Sequence, residues 1–180
     1  MRRNNLLDRP ARMFMAAAAL ACGIAGPALA QETPDIQDSP VARVFAGKWM
    51  QSKDPGQHGL LMYLTTPRAR AGEYFSVVCE AGAPAVKLGF GKRQRGKEID
   101  FDVDGRKAAF ALDATGTTKD TQIAKSKIYS YRVVFPSSAA RDGFLQSLRA
   151  GHKLIVAGQD HPIDLRGAAE ALQEQAGYCH

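Results

Sequence analysis

The sequence predicts a mainly β (α+β) fold: a compact antiparallel sheet or small β-sandwich with one short helix and a C-terminal helix. Three observations support this prediction. Short runs of alternating apolar and polar residues recur from about residue 45, and turn residues separate them closely. Apolar stripes with helical spacing occur only in two later stretches. Short, closely spaced strands are typical of antiparallel sheets and not of βαβ units.

Residues 1–30 have the order of a secretory signal peptide. A stretch with four arginines precedes an apolar run from Met13 to about Ala25, and an Ala-Leu-Ala tripeptide ends at Ala30. This order predicts a Sec-type leader that is cleaved after Ala30, and therefore a periplasmic or secreted protein. The run is shorter than the roughly 20 residues of a membrane span, and no later segment is apolar enough to cross a bilayer. The alternative is a lipoprotein that carries its lipid on Cys22.

Residues 31–44 are polar, contain two prolines and predict a flexible lead-in, whereas residues 45–180 predict a single β-rich domain. Removal of the leader leaves 20 basic and 17 acidic residues, a net charge of +3. A nucleic-acid-binding domain would need a dense basic face with recognisable motifs, so we expect no nucleic-acid partner.

The first alternating runs predict the first strands. Trp49, the only tryptophan, lies in a strand that runs into a turn, and it is predicted to be a core residue. The alternative is an exposed Trp49 that binds a protein partner. Further strands are predicted from Leu60 to Thr65 and over the runs EYFSVVCEAG and AVKLGFGK, each with apolar residues on one face.

The segment EIDFDVDGR, residues 98–106, fits two structures. Asp100, Asp102 and Asp104 followed by glycine match the start of a calcium-binding loop. The same acids alternate with apolar residues, however, and Asp-Gly is a strong signal for a two-residue hairpin turn. A calcium loop also needs a carboxylate at its twelfth position, where this chain has Ala111. The hairpin is therefore favoured, and the three aspartates are only a weak candidate for a cation site.

The remaining elements follow in chain order. Residues 115–127 are polar and predict a long loop or an irregular edge. The run KIYSYRVVFP predicts a strand that ends at Pro136, and AARDGFLQSLRAG predicts a short helix capped by Ser137 or Ser138. KLIVAG and HPIDL predict two more strands, and Gly167 to Tyr178 predicts the closing amphipathic helix.

Cysteine usage agrees with export. The chain after the leader keeps two cysteines, Cys79 and Cys179, and an even number in an oxidising compartment predicts a disulfide. Closing a loop of about 100 residues stabilises a fold by roughly 4 to 5 kcal/mol in the chain-entropy model. The alternative is that the two cysteines bind a metal together with His180.

The order of elements resembles the periplasmic VasI-type accessory proteins associated with type VI secretion. The likeness covers most of residues 45–179 and lies chiefly in FLQSLRAGHKLIV and IDLRGAAEALQEQAGYC. The matching positions are Ile163, Leu165, Gly167, Ala171, Leu172 and Cys179. The tryptophan-bearing segment expected after the hairpin is missing. The resemblance implies an exported β-rich domain that serves an envelope-spanning secretion system, and it carries over no catalytic residues.

Lys92, Arg93, Arg95 and Lys97 form a basic loop between two strand runs. Such a cluster is typical of a solvated hairpin loop. The alternative is that it docks an anionic partner, such as a phospholipid head group or an acidic protein patch.

Catalytic motifs are not recognisable in the sequence. The four histidines lack the spacing of a metal pair, and no serine lies in a G-x-S-x-G motif. We therefore expect a non-catalytic protein without a cofactor that acts by protein–protein interaction in the cell envelope. One alternative is an inhibitor or ligand-binding module that docks through the basic loop, and another is a hydrolase with an unrecognised site. The histidines are His58, His152, His161 and His180.

Overall fold

The computed structural model describes residues 35–64, 73–119 and 127–179, which contain eleven strands and two α-helices. The strands form one sheet in the order β1-β2-β3-β4-β5-β6-β9-β8-β7-β10-β11. Every pair of neighbours is antiparallel, which confirms the predicted fold class. The strands are β1 Ile36–Asp38, β2 Ala42–Phe45, β3 Trp49–Ser52, β4 Leu61–Tyr63, β5 Tyr74–Glu80, β6 Ala83–Phe90, β7 Glu98–Val103, β8 Arg106–Lys119, β9 Lys127–Val134, β10 Lys153–Val156 and β11 Ile163–Asp164. The helices are α1 Ser138–Ala150 and α2 Ala168–Ala176.

The sheet curls until its last strand lies against its third and fourth strands. The indole N–H of Trp49 in β3 donates to the carbonyl of Asp164 in β11 at 3.1 Å. The Asp164 N–H donates to the hydroxyl of Tyr63 in β4, also at 3.1 Å. Side-chain hydrogen bonds therefore join distant strands of one sheet, and the alternating apolar residues of both halves face a common core.

Both helices begin and end where local chemistry predicts. The hydroxyl of Ser137 accepts a hydrogen bond from the Ala140 N–H at 3.1 Å and caps α1, which ends at Gly151. Gly167 precedes α2 with a φ of 76°, a left-handed conformation that favours glycine. Each helix buries one stripe: Phe144, Leu145 and Leu148 in α1, and Ala168, Ala171, Leu172 and Gln175 in α2.

The segment EIDFDVDGR forms the predicted hairpin. Strands β7 and β8 pair from Val103 and Arg106 outward. The two turn residues, Asp104 and Gly105, have φ values of 51° and 86°, as a type I′ turn requires. The apolar residues of β7 are buried, whereas Asp100 is exposed.

Strands extend further than the sequence predicts at two places. Strand β1 and most of β2 lie within residues 31–44, where a flexible lead-in is predicted. The Asp38 carboxylate pairs there with Lys53 and, at 3.1 Å, with Arg43, and these two cations lower its pKa to about 2. Strand β8 continues past a bulge between Ala114 and Gly116 to Lys119, where a loop is predicted. Residues 114–118 are all exposed, so the segment lacks the apolar alternation that identifies half-buried strands.

The two cysteines come together as predicted. The sulfurs of Cys79 in β5 and Cys179 after α2 lie at disulfide-bonding distance, and their Cα atoms are 5.3 Å apart. The buried amide of Gln175 donates to the Cys79 sulfur at 3.3 Å. Next to this pair, Gly59 has a φ of +66°, and a Cβ at this position would overlap the Cβ of Tyr178. The C-terminal helix is thereby fastened to β5.

The predicted leader, Cys22 and His180 lie outside the described residues. Neither helix of the described residues has the length and apolarity that a membrane span requires.

Candidate functional site

The basic loop, residues 92–97, connects β6 to β7 and is fastened to the sheet at its centre. The Gln94 N–H donates to the hydroxyl of Tyr131 in β9 at 2.9 Å. At the loop's last residue, the Lys97 carbonyl accepts a hydrogen bond from the Leu112 N–H in β8 at 2.8 Å. Since both bonds lead to other strands, the loop has a defined position. The four charged side chains of the loop are exposed.

The basic loop forms one wall of a cleft of about 1070 Å³. Glu73, which precedes β5, and Gly158, which follows β10, also line the cleft. The Glu73 carboxylate accepts a hydrogen bond from the Asp160 N–H at 3.2 Å. The amide of Gln159 donates to the carbonyl of Tyr74 at 3.0 Å, which fixes the β10–β11 connection beside the start of β5. Hydrogen bonds therefore hold both sides of the cleft.

The cleft carries a net positive charge, because Lys92, Arg93 and Arg95 line it, whereas Lys97 belongs to the loop but not to the lining. Lys92, Arg93, Arg95 and Lys97 make no ion pair with any carboxylate of the described residues. The carboxylate of Glu73 is the acidic group in the lining, and Glu73 is only 9% exposed. Exposed like charges around a concave surface attract ions of opposite charge and accelerate their association.

Trp49 does not belong to a binding surface. It is fully buried, and its ring packs edge-on against Tyr63, at 5.3 Å between centroids, and against Phe75, at 5.9 Å. The prediction of a core residue is confirmed, and the alternative of a partner-binding Trp49 is wrong. The reason is the curl of the sheet, which brings the Asp164 carbonyl of β11 to the indole N–H.

The aspartate row serves the hairpin and its surroundings. The Asp104 carboxylate accepts the N–H groups of His152 at 2.8 Å and Lys153 at 3.0 Å, and these bonds, led by that of His152, lower its pKa. The Asp102 carboxylate accepts the Gly105 N–H at 2.6 Å. In the described part of the chain, no three His, Cys, Asp or Glu residues are grouped so as to hold a metal ion. Two of the three aspartates, Asp102 and Asp104, therefore stabilise the turn and its surroundings.

The described histidines lie on the surface. His58 has a φ of 49° at the end of a 3-10 turn, Pro55–Gln57, and its carbonyl accepts the Cys79 N–H. The His152 ring is 91% exposed, with Nδ1 3.5 Å from the Asp104 carboxylate, and His161 is exposed as well.

Sequence reasoning found the basic loop but missed the rest of the cleft. The sequence around Glu73 and around Gly158 contains no binding motif, since it indicates only a strand end at the first residue and a turn at the second. Their role arises only from the fold, which brings Glu73 and Gly158, 85 positions apart in the sequence, to the same cleft as the loop.

Comparison of the chain with protein-family models, with curated proteins and with solved structures gives no match.

Proposed function

We propose that this chain is a non-catalytic, exported binding protein whose basic loop docks an acidic protein partner in the cell envelope. The observation that supports the proposal is the set of four cationic side chains, unpaired within the described residues, on a loop held beside a cleft of about 1070 Å³. The leader-like N-terminus and the cysteine pair are compatible with export.

The lining of the cleft favours a polar macromolecular partner over a small molecule. Sites for small ligands are mostly apolar and aromatic, with a few polar groups. This cleft is lined by charged residues, Gln94 and glycines. Mutually attractive charges across an interface increase the association rate and the specificity, which suits the recognition of an acidic surface.

Two other anionic partners fit less well. A single-stranded nucleic acid would use aromatic side chains for base stacking, and none of the described residues that line the cleft is aromatic. A membrane-binding loop would insert apolar side chains, but the large exposed hydrophobic residues of the described segments lie elsewhere. The resemblance to VasI-type proteins adds the proposal that the partner belongs to an envelope-spanning secretion system.

The experiment titrates poly-L-glutamate into the purified protein and into Arg93→Ser/Arg95→Ser at low salt. Exposed ion pairs contribute about 0.2–1 kcal/mol each. Loss of two of them should therefore weaken binding by about 2- to 30-fold. The matched control is Lys127→Ser/Lys153→Ser, which removes two exposed charges from β9 and β10 and should bind like the parent protein.

Two outcomes contradict the proposal. Equal weakening by both double variants would show that general charge, and not the loop, binds the polyanion. Binding to anionic phospholipid vesicles without binding to poly-L-glutamate would replace the acidic protein by a membrane surface.

A further inference from the structure

A second concave surface lies between α1 and the β7–β8 hairpin. It is a groove of about 310 Å³ and shares no lining residue with the basic cleft. Three phenylalanine rings form its walls. The centroid of Phe101 lies 5.8 Å from that of Phe110 and 4.8 Å from that of Phe144, and the centroids of Phe110 and Phe144 are 5.4 Å apart. The groove is therefore apolar and aromatic.

One residue of α1 that lines the groove, Gly143, has no side chain to fill it, although glycine is unfavourable in a helix. Gly143 lies in the interior of α1 and lines the groove. Glycine is among the least favourable residues in a helix interior. A Cβ at Gly143 would meet no atom within 4 Å, so packing does not require glycine here. A larger side chain would instead project into the space beside the phenylalanines.

The mouth of the groove is cationic. Arg106 lies on the same face of β8 as Ala108 and Phe110, because alternate residues of a strand share a face. The Arg106 side chain borders the groove, is exposed and makes no ion pair within the described residues. Lys107 also borders the groove, and none of the described residues that line it is acidic. An apolar groove with this rim is complementary to an anionic amphiphile.

We propose that this groove binds one fatty acid, with its acyl chain against the phenylalanine rings and its carboxylate at Arg106. The groove volume lies at the lower end of the range of about 300–1,000 Å³ that is usual for ligand sites, which suits a single chain. A guanidinium group binds a carboxylate through two parallel hydrogen bonds. The inference is independent of the basic cleft, because the two sites share no residue.

The test is calorimetric titration of the purified protein with sodium laurate below its micellar concentration. Dodecyltrimethylammonium, which has the same chain length and a positive charge, is the comparison probe. We expect one laurate per chain with micromolar affinity and clearly weaker binding of the cationic probe. Gly143→Leu fills the groove and should weaken laurate binding by at least about tenfold. Gln146→Leu adds the same side chain to α1 outside the groove lining and should leave the affinity unchanged.

A second variant tests the charge. Arg106→Gln should weaken laurate binding by up to about fivefold, as expected for loss of one exposed ion pair, and should reduce the preference for laurate over the cationic probe. Arg106 is exposed, so its substitution should not disturb folding. This variant therefore tests fatty-acid binding even if Gly143→Leu fails to fold. The proposal is overturned if laurate does not bind at about 1 mM, if Gly143→Leu binds like the parent, or if both probes bind equally.

Discussion

Reduction of the Cys79–Cys179 pair is expected to remove a large part of the stability of this fold. The two residues are 100 positions apart, and a cross-link of that span contributes about 4.7 kcal/mol in the chain-entropy model. A domain of this size loses about 2–4 °C in Tm for each kcal/mol. We therefore expect reduction to lower Tm by about 9–19 °C. Reduction is preferable to substitution of the cysteines, because it leaves in place the two sulfur atoms that the buried Gln175 amide contacts.

The assays are thermal unfolding, for Tm, and urea unfolding, for the free energy, each with and without reductant and followed by the fluorescence of Trp49. This residue is the only tryptophan and is fully buried, so its emission reports loss of the core. Cys79→Ala/Cys179→Ala is the control, and its unfolding curve should not respond to reductant. A change in unfolding free energy below about 1 kcal/mol would refute the reasoning, because the chain-entropy model requires several times that value. Free thiols before reduction would refute it as well.

Three further predictions concern the glycines in two turns, the stability of the fold at low pH and the hydrogen bond to Tyr131 that holds the basic loop. Gly82→Ala, with a φ of +74° and open space around the new Cβ, should cost about 1–2 kcal/mol in urea unfolding. Gly59→Ala should cost about 1–3 kcal/mol more, because its Cβ would overlap Tyr178, and equal costs would contradict that contact. The pKa of Asp38 is lowered to about 2 by Lys53 and Arg43, so its contribution to stability is present above the ordinary value near 4 and is lost as pH falls toward 2. Unfolding measured across this range should show a stability difference between parent and Asp38→Asn that disappears at the acid end, and a constant difference would contradict the assignment. Tyr131→Phe removes the acceptor of the Gln94 N–H and should weaken poly-L-glutamate binding while lowering the unfolding free energy by only about 1–3 kcal/mol; unchanged binding would show that the anchor does not position the basic loop.

Local chemistry explains which parts of the fold could be predicted from the sequence. The cap at Ser137, the glycine at position 151 and the Asp104-Gly105 turn each depend on residues a few positions apart. Burial of the α2 stripe follows from its spacing in the same way. These elements are confirmed because their signals do not depend on the rest of the chain.

The parts that were missed depend on contacts between distant segments. Strand β1 is exposed along its length and is held by pairing with β2, so no apolar alternation identifies it. The last residues of β8 pair with β9 although both faces of the segment are exposed. The cleft needs Glu73 and Gly158 beside the basic loop, and only the curled sheet brings them there.

The central claim is that the basic loop is the docking surface, and the most direct measurement is an NMR titration of the ¹⁵N-labelled protein with poly-L-glutamate. We predict that amide shifts change for residues 91–96 and for Glu73 and Gly158 across the cleft. These changes should disappear in Arg93→Ser/Arg95→Ser. Shifts confined to other surfaces, such as β10 or the groove beside α1, would contradict the account.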